Sequence, residues 1–199
     1  MKVLIVVDMQ NDFIDGVLGT PEAVAIVPAV AAKVRKHAES GEPILYTKDT
    51  HYDWYLQSQE GRKLPVPHCI YGTKGHQLHP DVHISGSYYA DKLTFGLANI
   101  GEIVESIAKD RDGVIDEIEL VGLCTSICVI SNAMILKAYF PEIPIIVDSK
   151  CCACVSPETH EAALLAMKTC QIDVIERSPR DSFSFYNLIF LQKRYIIYM

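Results

Sequence analysis

The chain has 199 residues, of which 49% are hydrophobic, a length that suits one sizeable core and is short for two. Its net charge is -7, with acids and bases scattered and no basic block, so a nucleic-acid partner is not expected. Seven cysteines and an apolar opening, Val3 to Val7, too short for a signal peptide or a membrane span, read as reduced thiols of a cytoplasmic protein.

Lys2–Asp8 reads as a buried strand that ends on an acid. Val24 to Glu39 carries Ile26, Val27, Val30, Ala31, Val34 and Ala38 on one face, with Gly41 as its stop signal, and is expected to be a helix. Pro43–Asp49 is the next strand. Residues 50–83 are rich in His, Pro, Gly and Tyr without a sustained period, and so long an irregular stretch inside a compact domain is usually functional. Leu97 to Lys109 is amphipathic, Glu117–Leu123 is a strand, and Ile127 to Tyr139 a helix. Ile143–Asp148 is a strand, Pro157 to Thr169 a helix capped by Ser156, and Ile172–Ile175 a last short strand.

Near-continuous apolar strands alternating with helices predict an α/β fold, one domain over 1–199 with a parallel sheet covered on both faces. Ligands of such sheets bind beyond the carboxyl ends of the strands, where Asp8, Asp49 and the turn from Gly122 to Cys128 all fall. The cluster Cys151-Cys152-Ala153-Cys154 lacks the second pair a structural zinc site needs and reads as buried or loop thiols. The apolar tail 187–199 is too short to span a bilayer and is expected to pack on its own domain or to cover an interface between copies of the chain, a homo-oligomer.

Asp8 closes a strand of hydrocarbon, where a carboxylate is costly unless partnered or used. Alone it could equally cap a loop, just as Lys92 could be a solvated lysine and Cys128 a core thiol. Together they offer an acid, a cation and a thiol. With Thr125 or Ser126 as N-cap, Cys128 would sit in the first helical turn, where the dipole lowers a thiol pKa and backbone N–H groups can hold an oxyanion.

The segments Val-Val-Asp-Met-Gln-Asn-Asp-Phe (6–13), Asp-Lys (91–92) and Gly-Leu-Cys-Thr-Ser-Ile-Cys-Val (122–129) resemble those of the isochorismatase-like cysteine hydrolases over about residues 2–176. The resemblance implies a three-layer α/β/α sandwich with a six-stranded parallel sheet. It also implies a catalytic triad of Asp8, Lys92 and Cys128, a cis peptide at Leu123–Cys124, and an oxyanion hole from the N–H groups of Cys124 and Cys128. Within that family, Thr47-Lys48-Asp49-Thr50-His51, Pro67-His68-Cys69 and Gly72-Thr73 are similar to the nicotinamidases, which implies a divalent metal held by Asp49, His51 and His68, with Glu60 as a fourth ligand. Two imidazoles and one or two carboxylates suit zinc, with manganese or iron as alternatives. Thr50 and Tyr52 flank His51 where the family more often has Trp and Pro, and Ser126 stands where an acid is common.

The activity so implied is hydrolysis of nicotinamide to nicotinate and ammonia through a Cys128 thioester, with Phe13 and Trp54 packing the ring, as a step of NAD salvage. Another amide or N-carbamoyl hydrolase with the same triad is the near alternative, and a vinyl-ether hydrolase a farther one. From a different class comes a thiol-based binding or redox module using Cys124, Cys128 and the 151–154 cluster, although Cys124 and Cys128 do not form a C-x-x-C pair.

Overall fold

The computed structural model describes residues 1–176, so the tail 187–199 lies outside the described residues. Six strands form one parallel sheet in the order β3-β2-β1-β4-β5-β6: β1 Lys2–Val7, β2 Ile44–Asp49, β3 Tyr88–Lys92, β4 Glu117–Leu123, β5 Ile145–Ala153 and β6 Asp173–Ile175. The helices are α1 Asn11–Ile14, α2 Pro21–Glu39, α3 Gln59–Lys63, α4 Ile100–Asp110, α5 Ile130–Tyr139 and α6 Pro157–Thr169.

Period-two alternation divides β1 between two cores. Val3, Ile5 and Val7 pack with Val104 and Ile107 of α4, Ala133 and Leu136 of α5, and Leu164 and Met167 of α6. Leu4 and Val6 point the other way, onto Ile26, Val27, Val30 and Val34 of α2. This is the expected three-layer arrangement, and it brings polar groups of several strands together at their carboxyl ends. Among the described residues no helix is long and apolar enough to cross a membrane.

Several element bounds differ from the sequence expectation. Thr20 caps α2 through the Ala23 N–H and Pro21 opens it, so the helix begins three residues earlier than its apolar stripe suggests. Conversely, α4 starts at Ile100 rather than Leu97. Strand β5 runs past Asp148 to Ala153 with a shift in register against β4 between Leu120 and Gly122. The cysteine cluster therefore belongs to a strand end, and Cys151, Cys152 and Cys154 are buried free thiols. Strand β3 was not legible as an apolar run; it is an edge strand whose burial alternates, with Ala90 and Lys92 inside.

Candidate active site

Three strand ends bring the acid, the cation and the thiol together. Asp8 follows β1 in the left-handed region, with φ of 48°, which turns its carboxyl beneath the sheet edge. Lys92 closes β3 and is 1% exposed, so the alternative of a solvated lysine is excluded. Its Nζ lies 2.7 Å from Asp8 Oδ2, 3.4 Å from Asp49 Oδ1 and 3.5 Å from Cys128 Sγ. Thr47 Oγ1 donates to Asp8 Oδ1 at 2.7 Å. All of these groups are buried, a costly arrangement for charge that holds only because each ion meets an opposite one.

The turn carrying Cys128 departs from the expected one. After β4 the peptide Leu123–Cys124 is cis, and Thr125–Val129 form a π-turn that continues into α5. The N-cap is Cys124, without a side-chain cap, rather than Thr125 or Ser126. Thr125 Oγ1 instead meets His160 Nδ1 of α6 at 2.8 Å. Gly122 precedes the turn at φ of 119°, and a Cβ there would lie 2.1 Å from the carbonyl oxygen of Val7, so only glycine lets β4 approach β1.

Burial overturns the expected direction of the Cys128 pKa. The thiol is raised well above its ordinary value by loss of solvent and by Asp8, with Lys92 opposing. An exposed helix start would have favoured the thiolate, but Cys128 is only 6% exposed and desolvation outweighs the pull of Lys92. Asp8 is also raised, by burial against the pull of Lys92. Lys92 is raised despite burial, because Asp8, Cys128 and Asp49 all favour its charge.

Beside this group, Asp49 at the end of β2 meets two histidines from the irregular segment. Asp49 Oδ2 lies 2.9 Å from His51 Nε2 and 3.4 Å from His68 Nε2, while Glu60 Oε1 lies 3.7 Å and 3.8 Å from the same nitrogens. One potential ligand atom from each of Asp49, His51, Glu60 and His68 falls within 4.8 Å of the other three. His68 Nδ1 meets the carbonyl of Val66 at 2.8 Å, which fixes the ring with Nε2 turned inward. His51 Nε2 is buried without a hydrogen-bond partner, the carboxylate beside it being out of line. Two carboxylates and two imidazole nitrogens converging on one point, one of them orphaned, fit a divalent cation. Asp49 is held well below the usual carboxylate range: burial is outweighed by the imidazoles of His51 and His68 beside it and by the charge of Lys92.

Of the two residues expected to pack a substrate ring, Phe13 is half-buried with its ring centroid 5.4 Å from that of His68. Trp54 is 53% exposed and stacks on Tyr52 at 6.0 Å. Tyr55 was not singled out in the sequence, yet its buried ring packs against both His51 and His68, at 4.6 Å and 5.1 Å.

Two buried polar residues were also missed as parts of the site. Thr47 sits in an apolar strand, where nothing in the pattern marks its hydroxyl. Gln10 belongs to the first motif and clasps Asp49 by both backbone groups: its Oε1 accepts from the Asp49 N–H at 2.7 Å and its Nε2 donates to the Asp49 carbonyl at 2.8 Å. The same amide reaches the carbonyl of His76 at 2.9 Å. Neighbouring residues continue the stitching. Asn11 and Asp12 donate their N–H groups to Gln77 and Gly75, Asp12 Oδ2 accepts from the Cys69 N–H, and Met9 accepts from His79. Residues 9–12 thus pin residues 69–79 of the irregular segment, and Asp49 before it, to the end of β1.

Comparison with known proteins places this geometry in a lineage. A family model described as the isochorismatase domain matches residues 2–178. A nicotinamidase/pyrazinamidase of Mycobacterium tuberculosis is 27% identical over 186 residues, covering 88% of this chain and 98% of that protein. The crystal structure of nicotinamidase PncA from Bacillus subtilis superposes with a TM-score of 0.73 at 29% identity, covering 88% of this chain and 99% of that one. A pyrazinamidase of Pyrococcus horikoshii in complex with zinc, at 24% identity and covering 88% of this chain and 99% of that one, shares the fold with a TM-score of 0.75. The chain belongs to the isochorismatase family and is a hydrolase.

Proposed function

We propose that this hydrolase is a nicotinamidase, releasing ammonia from nicotinamide to leave nicotinate through a thioester on Cys128. The observation that carries the reading is the 3.4 Å contact between Lys92 Nζ and Asp49 Oδ1, which joins a covalent hydrolytic triad to a metal-ligating cluster in one site. A triad alone would fit any amide or N-carbamoyl hydrolase. A neighbouring set of nitrogen and carboxylate ligands suits a substrate with a heteroaromatic nitrogen to be held.

In the proposed reaction Asp8 takes the thiol proton of Cys128. The raised basicity of Asp8 suits that transfer, and burial likewise favours the protonated form of the Cys128 thiol. The Cys128 sulfur attacks the carboxamide carbon. The N–H groups of Cys124 and Cys128 take up the developing oxyanion, a role in which one donor is worth about 2.7–4 kcal/mol. Asp8 then returns the proton to the departing ammonia, and water cleaves the thioester with Asp8 as base. Lys92 keeps Asp8 and the sulfur oriented and their charges balanced throughout. A divalent cation on Asp49, His51, Glu60 and His68, with zinc first for this donor set and manganese or iron as alternatives, would supply a clamp for the pyridine nitrogen. Phe13 packs the ring, and Trp54 stands at the rim.

The reading takes the chain as a single domain that works in the cytoplasm on a small-molecule amide, as a homo-oligomer, and feeds nicotinate to pyridine nucleotide salvage. The test is ammonia release from nicotinamide and from a panel of N-carbamoyl compounds, with and without a chelator. Turnover of nicotinamide that is lost on chelation supports the proposal. Chelator-insensitive turnover confined to a carbamoyl compound would replace it with the other amidase of the family.

A further inference from the structure

Strand order does not by itself bring Lys92 to Cys128. Lys92 ends β3 at one edge of the sheet, the Cys128 turn follows β4, and both β2 and β1 lie between those two strands. Pairing within the sheet therefore never joins β3 to β4. The 3.5 Å approach of Lys92 Nζ to Cys128 Sγ is made by elements that are not neighbours in the sheet.

One side chain bridges the gap directly. Asn132 of α5, four residues beyond Cys128, is fully buried. Its Nδ2 donates to the Cys128 carbonyl at 2.8 Å and lies 3.4 Å from the carbonyl of Phe95. Its Oδ1 accepts from the Leu97 N–H at 2.9 Å. The donor and acceptor ends of one planar amide thus join the Cys128 turn to residues 93–97, the stretch that leaves Lys92. Glycine permits the approach: a Cβ at Gly96 would lie 2.7 Å from Ile135 Cδ1 and 3.1 Å from Ser131 Cβ, so this stretch rests directly on α5. Packing alone does not ask for an amide at 132, because Val129, Ala133 and Leu136 around it on the helix are buried and apolar. A buried amide is costly unless bonded, and here both ends are.

We propose that Asn132 is a positioning residue for the hydrolysis: its amide ties the exit of β3 to the nucleophile turn, and so keeps the Lys92 ammonium against the Cys128 sulfur. The proposal rests on Cys128 as nucleophile and Lys92 as its cation, whichever amide is the substrate. Asn132 acts through those two residues and takes no part in the bonds that form and break. Without the tether the two strand exits keep their own folds, and what is lost is their mutual register.

The test compares the full chain with Asn132→Val, which removes both ends of the amide, and Asn132→Thr, which has nearly the same shape as the valine. In a helix a threonine hydroxyl can donate to the carbonyl four residues back, so Asn132→Thr keeps a bond to Cys128 but offers no second arm to Leu97. With nicotinamide, both variants should lower kcat about tenfold to a hundredfold, the scale of a misplacement of about 1 Å. KM should stay within about twofold, as when an interaction made only in the transition state is lost, and metal content by elemental analysis should not change. A lower melting temperature with kcat intact would make Asn132 merely structural and overturn the proposal. Full activity in Asn132→Thr would overturn the tether, since the bond to Cys128 alone would then suffice. A second readout needs no substrate: alkylation of Cys128 by iodoacetamide, followed on tryptic peptide 112–137 with Cys124 told apart by fragmentation. Its rate should fall about threefold or more in both variants, because the adjacent ammonium favours the thiolate; an equal or faster rate would overturn the proposal. In the wild type the Leu97 amide should exchange slowly with deuterium, and fast exchange would remove the bond whether or not the variants fold. If the wild type releases no ammonia from nicotinamide, the nicotinamidase reading fails and alkylation still decides on Asn132.

Discussion

The group of Asp8, Lys92 and Cys128 and the group of Asp49, His51, Glu60 and His68 lie side by side and are balanced in opposite ways. The first contains its own counterion: Lys92 reaches Asp8, Asp49 and Cys128, and nothing from solution is needed for it to be buried. The second gathers two carboxylates and two imidazole nitrogens on one point, the donor set of a divalent cation, although Asp8 Oδ2 and His51 Nε2 are alike buried without a hydrogen bond. The polypeptide completes the first and only prepares the second. The difference follows from where the residues come from. Parallel strand ends and the turn after β4 hold the first group, and backbone hydrogen bonds between the strands fix their spacing. Three of the four cluster residues come from, or flank, a loop whose geometry is set by side chains reaching across from residues 10–12.

The contrast can be broken at either end. Cys128→Ala should lower ammonia release by about 10⁴-fold or more, as loss of a covalent nucleophile does, with an unchanged circular dichroism spectrum and metal content. Substantial residual turnover would sink the thioester route. Lys92→Met should cost about 3–5 kcal/mol in urea unfolding, because it strands a buried carboxylate; a loss under 1 kcal/mol would show that Asp8 is not held by that pair. For the second group the expected signature is different. His51→Ala should lose bound metal by elemental analysis and lower turnover by about a hundredfold, while the metal-free protein keeps its stability. A chelator should lower the melting temperature of the wild type but not of His51→Ala, since a cation stabilises only a state that binds it.

Smaller effects sharpen the boundary between the two. Gln10→Ala should cost about 1–3 kcal/mol, because it leaves both backbone groups of Asp49 without their side-chain partner. It should also weaken metal retention and turnover together, and independent behaviour would argue against a shared clasp. Far from both groups, Lys33 pairs with Glu119 and Asp148. Burial lowers its pKa, but those partners outweigh it and leave the folded value above the ordinary 10.5. The stabilisation is therefore fully present below about pH 10.5 and is lost as pH rises through the folded value. Lys33→Met should flatten the fall in stability above that pH and leave turnover near neutrality unchanged.

Five of the six strands were legible from their apolar residues: β1, β2, β4 and β5 lie inside the sheet and are largely buried, while the short edge strand β6 is exposed to half-buried. Strand β3 was not, since Tyr88-Tyr89-Ala90-Asp91-Lys92 lies at the sheet edge, is buried only at alternate residues and ends on two charges. Asp8 and the Cys128 turn could be placed from strand ends alone. Lys92 could not, and it entered only through the resemblance to a family. The state of the Cys128 thiol was misjudged because a dipole can be inferred from sequence position, whereas the depth of burial that opposes it depends on the whole fold. Gln10 and Thr47 escaped for a related reason: a buried polar side chain leaves no periodic trace, and its partners are 39 residues away in both cases.

The seam between residues 9–12 and the irregular segment has a consequence for how such a protein can change. Because Met9, Gln10, Asn11 and Asp12 hold that segment from one short stretch of chain, the two pieces behave as a single cassette. A loop transplanted from a relative to alter substrate range should dock poorly unless its own version of these four residues travels with it. Conversely, exchanging the pair together leaves the sheet, and the acid that ends β1, free to serve a different amide.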